Sequence, residues 1–113
     1  MLVFDIYDRS SHAKLDETIA QLERLICDLK FIRANGHPTY RVLFDAPILN
    51  EWTPSIRVAP CLTGLSSGHP KLRGNDRPIL TSEAWVVAPQ DRWVRTLNRY
   101  YRLGKPSDGG PDQ

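Results

Sequence analysis

Cysteine is scarce in this chain: two in 113 residues, Cys27 and Cys61. Their wide separation fits no metal-ligand spacing, and a pair is too few for the disulfide framework of a small secreted domain. Both are expected as reduced, buried small hydrophobes in a cytoplasmic protein. No apolar run approaches the ~20 residues that a membrane-crossing helix needs. Met1 to Asp8 lacks a basic leading segment and meets an acid at Asp5, so it does not read as a signal peptide. The three histidines, His12, His37 and His69, have no partner at the short spacings that build a metal site. No Gly-x-Ser-x-Gly elbow surrounds Ser66, Ser67 or Ser82. The glycine-containing run from Gly64 to Lys71 lacks the Gly-Lys-Ser/Thr ending of a phosphate cradle, and Pro70 withholds an amide there. The acid pairs Asp5/Asp8 and Asp16/Glu17 sit near a helix start, where the helix dipole is sufficient reason for them. These absences point away from an enzyme, a metal and a cofactor. A serine or cysteine brought to His69 by folding is the remaining catalytic alternative, ranked last.

What the chain does have is an uneven charge. The net value of +2 conceals six Lys/Arg against eight Asp/Glu over residues 1–56 and nine against three over residues 57–105. A basic half of that kind suits phosphates or an acidic protein surface, and also fits a merely solvated face. Hydrophobic residues at 41% and charged residues at 25% lie near globular averages, which excludes wholesale disorder. The length suits one domain.

Along the chain, Leu2, Phe4 and Ile6 alternate as in a short strand over 2–7. Ser10 and Ser11 are N-cap candidates for the strongest periodic signal, Leu15, Ile19, Leu22, Ile26 and Leu29 at steps of four and three, widened by Leu25 and Ile32. This predicts a long amphipathic helix that Asn35-Gly36 and Pro38 end. Its heptad-like spacing admits a homodimer seam through residues 15–32, although a wide stripe favours packing within the chain, leaving a monomer or a weak dimer. Residues 37–55 read as an irregular connection anchored by Phe44, Leu49 and Trp52. Strands are expected at 56–59, 61–65, 78–82 and 84–87. The simplest pairing is an antiparallel hairpin, 61–65 against 78–82 or 84–87, with the basic loop of His69, Lys71 and Arg73 at its tip.

Residues 89–104 read as a closing helix, with Pro89 and Asp91 in its first turn and Gly104 and Pro106 at its end. At about 100° per residue, Arg92, Arg95, Arg99 and Arg102 share one arc, with Trp93, Val94, Leu97, Tyr100 and Tyr101 on a neighbouring one. The expected fold is therefore α+β: a long N-terminal amphipathic helix, a small antiparallel sheet and an arginine-rich C-terminal helix. One domain spans 1–104 and a flexible tail spans 105–113. Leu15, Ile19, Leu22, Ile26, Leu29, Leu62, Ile79, Trp85, Trp93 and Leu97 are the expected core.

Four groups of residues carry a resemblance. Cys61-Leu62-x-Gly64, Gly68-His69-Pro70, Pro78-Ile79-x-Thr81-Ser82-x-x-Trp85 and Arg92-Trp93-x-Arg95-Thr96-x-x-Arg99-x-Tyr101-Arg102-Leu103-Gly104 resemble a family of small alphaproteobacterial proteins filed as a domain of unknown function. The likeness covers roughly residues 45–104. It implies a bacterial, cytoplasmic protein and brings no activity, cofactor or catalytic residue with it.

The reading is a non-enzymatic accessory or regulatory module. It would dock on an acidic surface of a larger protein or nucleoprotein complex through Lys71, Arg73, Arg77, Arg92, Arg95, Arg99, Tyr100 and Arg102. Arginine suits this task because its planar fork engages carboxylate and phosphate bidentately. The alternative is direct, low-specificity DNA or RNA binding through the same face, with phosphates supplying the affinity. No membrane partner is expected.

Overall fold

The computed structural model describes residues 1–107. Its contacts fall into two compact units, Met1–His12 together with the chain from Val58 onward, and Ala13–Arg57. The part of the expected flexible tail at 108–113 lies outside the described residues.

The first unit is built on a mixed four-stranded sheet. Strand β1 (Leu2–Val3) runs parallel to β4 (Ala84–Ala88); β5 (Trp93–Thr96) and β6 (Tyr100–Arg102) continue antiparallel, in the order β1-β4-β5-β6. A separate antiparallel pair, β2 (Thr63–Ser66) and β3 (Arg77–Leu80), holds the basic loop 67–76 at its tip. This is the hairpin expected from the sequence, shifted by one or two residues. The expected strand at 56–59 is not formed.

The closing helix over 89–104 is not formed either. That stretch is a turn, a strand, a second turn and another strand. Three local features account for the difference. Val94 and Thr96 are β-branched and alternate with Trp93 and Arg95, a period-two pattern that fits a half-buried strand. Arg92 stands at φ 59°, in the left-handed region, with its amide on the Pro89 carbonyl; this turns the chain back after Ala88 rather than starting a helix. The Thr96 hydroxyl then organises the next turn. It accepts from the Asn98 and Arg99 amides at 3.3 and 3.2 Å and donates to the Arg99 carbonyl at 3.0 Å. Such local hydroxyl–backbone bonding competes directly with helix formation.

In β4–β5, Val87 lies opposite Val94, and Ala84 opposite Thr96; Trp85 is the extra residue of a bulge between Ala84 and Val86. Ala84, Val87 and Val94 form the buried cluster, joined by the partly buried Leu62, Tyr101 and Leu103. Val94 and Thr96 are each only 1% exposed. The expected core is corrected on two counts: Leu97 lies out on the turn, and the α1 positions Ile19, Ile26 and Leu29 are exposed.

Helix α1 runs over Arg9–Asn35. Its cap is Asp8, not Ser10 or Ser11. The Asp8 carboxylate accepts from the Ser10 amide at 3.0 Å and from the Ser10 hydroxyl at 2.8 Å. Ser11 is instead buried, its hydroxyl 2.8 Å from the Asp5 and Asp8 carbonyls and 3.2 Å from the Asp5 amide. The Phe4 amide bonds the Val87 carbonyl at 2.8 Å and the Phe4 ring meets His12 edge-on at 5.1 Å, so the first turn of α1 is tied to the sheet. The helix ends where Gly36, at φ 87°, returns its amide to the Ile32 carbonyl.

In the second unit, a short helix α2 (Tyr40–Asp45), capped by the Thr39 hydroxyl on the Val42 amide, occupies part of the stretch read as irregular. Phe44, Leu49 and Trp52, read as anchors, are exposed. Cys27 and Cys61 are free and exposed rather than buried. Among the described residues no helix is long and apolar enough to cross a membrane.

Candidate binding surface on the sheet

Strand alternation sorts the basic and aromatic residues of β4–β6 onto two faces. Opposite residues in an antiparallel pair point to the same side. Val86, Arg95 and Tyr100 therefore form one row across the outer face, and Ala88, Trp93 and Arg102 the next. Val87, Val94 and Tyr101 form the inner row, over the buried cluster.

The outer rows bring four basic and aromatic side chains together. The Arg95 guanidinium lies over the Tyr100 ring, 5.1 Å from its centroid. Trp93 meets the same ring edge-on, with centroids 5.9 Å apart. Arg102 lies opposite Trp93, and Tyr100 is 67% exposed. A cation against a π face gains from the ring quadrupole. The result is a cation resting over an exposed aromatic ring.

The other basic residues lie elsewhere in this unit. Lys71 and Arg99 flank His69, whose ring stacks obliquely on the inward Tyr101 at 6.1 Å. The His69 Nδ1 accepts the Lys71 amide at 3.0 Å, which leaves Nε2 as the protonated nitrogen of the neutral ring. Its pKa is lowered, first by desolvation against its neighbours and then by the positive charges of Arg99 and Lys71. Arg77, on β3, donates from Nη1 to the Arg73 carbonyl at 3.0 Å in the loop. Arg92 lines an open cleft at the sheet end with Pro89, Leu103, Gly104, Lys105 and Pro106.

Of the eight residues expected in one patch, the outer face unites Arg95, Tyr100 and Arg102. Lys71 and Arg99 belong to the His69 side, Arg73 to the hairpin loop with Arg77 beside it on β3, and Arg92 to the turn. The helical arc of arginines over 92–102 is dissolved by the strand geometry. The outer face also gains Trp93, which sequence reasoning assigned to the core. Its signal was the alternation of Trp93 and Arg95 with Val94 and Thr96, masked by the equally readable helical arcs.

Among the described residues, no three His, Cys, Asp or Glu side chains gather as metal ligands. In the loop considered for catalysis, the Ser67 hydroxyl accepts the Asp76 amide at 3.0 Å, and His69 is held by Lys71 and Tyr101. Matching the chain against models of known families, curated proteins and solved structures returned no match, so this surface itself carries the functional reading.

Proposed function

We propose that the protein is a small, non-enzymatic, cytoplasmic binding module. It docks on an acidic surface of a larger protein or nucleoprotein complex through the outer face of β5 and β6. The observation that carries this reading is the Arg95–Tyr100 stack, with Arg102 and Trp93 on the same face. An arginine already resting against a ring loses less freedom when its fork meets a carboxylate or phosphate. The net +6 of residues 57–105 draws polyanions toward this half of the chain.

Direct DNA or RNA binding is the second reading. It is favoured by the Tyr100 ring, which is exposed beside Arg95 and offers aromatic surface to an unpaired base.

Fluorescence anisotropy with a labelled Asp/Glu-rich peptide, a mixed-sequence duplex and a single strand separates the two, at low and at physiological salt. Binding of the single strand that weakens steeply with salt selects the second reading. Binding of the acidic peptide alone selects the first. Changing Arg95→Ala and Arg102→Ala together should weaken either by about tenfold or more, the loss of two charge-assisted contacts. Arg99→Ala, on the His69 side, should bind as the parent does. Failure of every probe at low salt, or full binding by the double variant, overturns the proposal.

A further inference from the structure

A wide apolar stripe lies along α1. Ile26 and Leu29 are 50% and 54% exposed, Ile19, Leu25 and Ile32 are exposed with them, and Leu15 and Leu22 are half-buried. We infer that this stripe pairs with the same stripe of a second copy of the chain, as a short parallel two-stranded coiled coil over residues 15–32.

The occupant follows from the register. Steps of four and three place Ile19 and Ile26 at the a positions of a heptad and Leu15, Leu22 and Leu29 at the d positions. Branched isoleucine at a with leucine at d favours two strands in parallel, because each residue type packs best at its own angle in the facing hole. The flanking positions agree. In a parallel, in-register pair, Thr18 faces the partner's Glu23 and Leu25 faces the partner's Lys30, so no like charges meet; the lysine stem lies along leucine with its charge in water. Arg33 occupies the next a position and closes the seam at the end of the helix.

Area supports the same occupant. The exposed parts of these side chains amount to roughly 500 Å² per helix, so pairing removes on the order of 1,000 Å², the threshold of a specific interface. Little more than two heptads are involved, so the expected association is weak, with a Kd on the order of micromolar. A dimer would carry two copies of the arginine–tyrosine face, whatever that face binds.

Sedimentation equilibrium on the full chain tests the inference. From about 1 to about 200 μM, the mean mass should rise from 12.9 kDa toward twice that value. Ile26→Asp should hold the mass at the monomer value throughout, with unchanged tryptophan emission showing that the sheet unit remains folded. Gln21→Glu, off the seam, should associate as the parent does. Orientation is read separately from Arg33→Cys combined with Cys27→Ser and Cys61→Ser. Only a parallel pair brings the two thiols within disulfide reach, giving a cross-linked dimer on mild oxidation. A parent chain that stays monomeric at the highest concentration overturns the inference, as does an Ile26→Asp chain that still dimerises. A dimer that fails to cross-link overturns the parallel arrangement.

Discussion

Two apolar patterns in this chain meet different fates. In the sheet, Val87 and Val94 face each other across β4 and β5, and Val94 is sealed from water. In α1, Ile26 and Leu29 repeat with equal regularity and remain half exposed. The difference lies in who supplies the partner. A strand presents unpaired backbone groups as well as side chains, so β5 acquires both β4 and β6 from its own chain, and burial follows from pairing. A helix satisfies its backbone internally and leaves only a side-chain stripe to be covered. Regular hydrophobic spacing thus records that a partner is needed without saying where it comes from.

The same substitution in both patterns tests that contrast most strongly. Val94→Asp places a carboxylate in the buried apolar cluster, and should cost about 3 kcal/mol or more. Near-ultraviolet circular dichroism and tryptophan emission should show the sheet unit unfolded. Ile26→Asp, at a position already half in water, should leave the unfolding free energy of the dilute protein, from urea titration, within roughly 1 kcal/mol of the parent. Equal damage from the two would erase the distinction between a satisfied and an unsatisfied pattern.

A smaller effect is expected at Thr96, whose hydroxyl holds the β5–β6 turn. Thr96→Val keeps the shape and β-branching but removes three hydrogen bonds, and should destabilise the sheet unit by about 1–2 kcal/mol in urea titration. A neutral result would mean that the paired strands alone suffice to set the hairpin that displaces the helix.

The smallest effect is a pH dependence. The His69 pKa lies below its ordinary 6.5 in the folded chain. Between the lowered folded value and 6.5, the unfolded chain therefore binds the greater number of protons. Stability should rise with pH through that window, reach its full value above 6.5, and fall as pH drops. Protonated Nδ1 can no longer accept the Lys71 amide, and the added charge meets Arg99 and Lys71. Urea midpoints measured on either side of the window should differ in this direction, and His69→Gln should reduce the difference. An unchanged slope in that variant would assign the dependence to other groups.

Legibility varied with how local the deciding forces are. The long helix was readable because its periodicity, its first-turn environment and the Asn35-Gly36 stop all act within a turn or two. Even there, the cap fell to Asp8, since Ser11 is drawn into bonds with Asp5. The β2–β3 hairpin was readable from two β-like runs around a glycine- and proline-containing loop. Residues 93–102 were not, because Trp93, Val94, Leu97, Tyr100 and Tyr101 fit a helical arc as well as strands. Two of the three expected residues on the outer face, Arg95 and Arg102, lie together under either reading, which is why they share a face despite a wrong element.

From residues alone came the α1 stripe and its stop, the basic hairpin loop and the concentration of positive charge after residue 57. Each depends on neighbours within a few positions or on simple counting. Only tertiary structure decided that β5 is a strand, that Arg95 stacks on Tyr100, and that Arg99 and Lys71 belong with His69. The physical reason is that a helix closes its hydrogen bonds four residues away, whereas β5 needs the backbone of β4 across a turn, and its faces acquire meaning only when that pairing selects which one is covered.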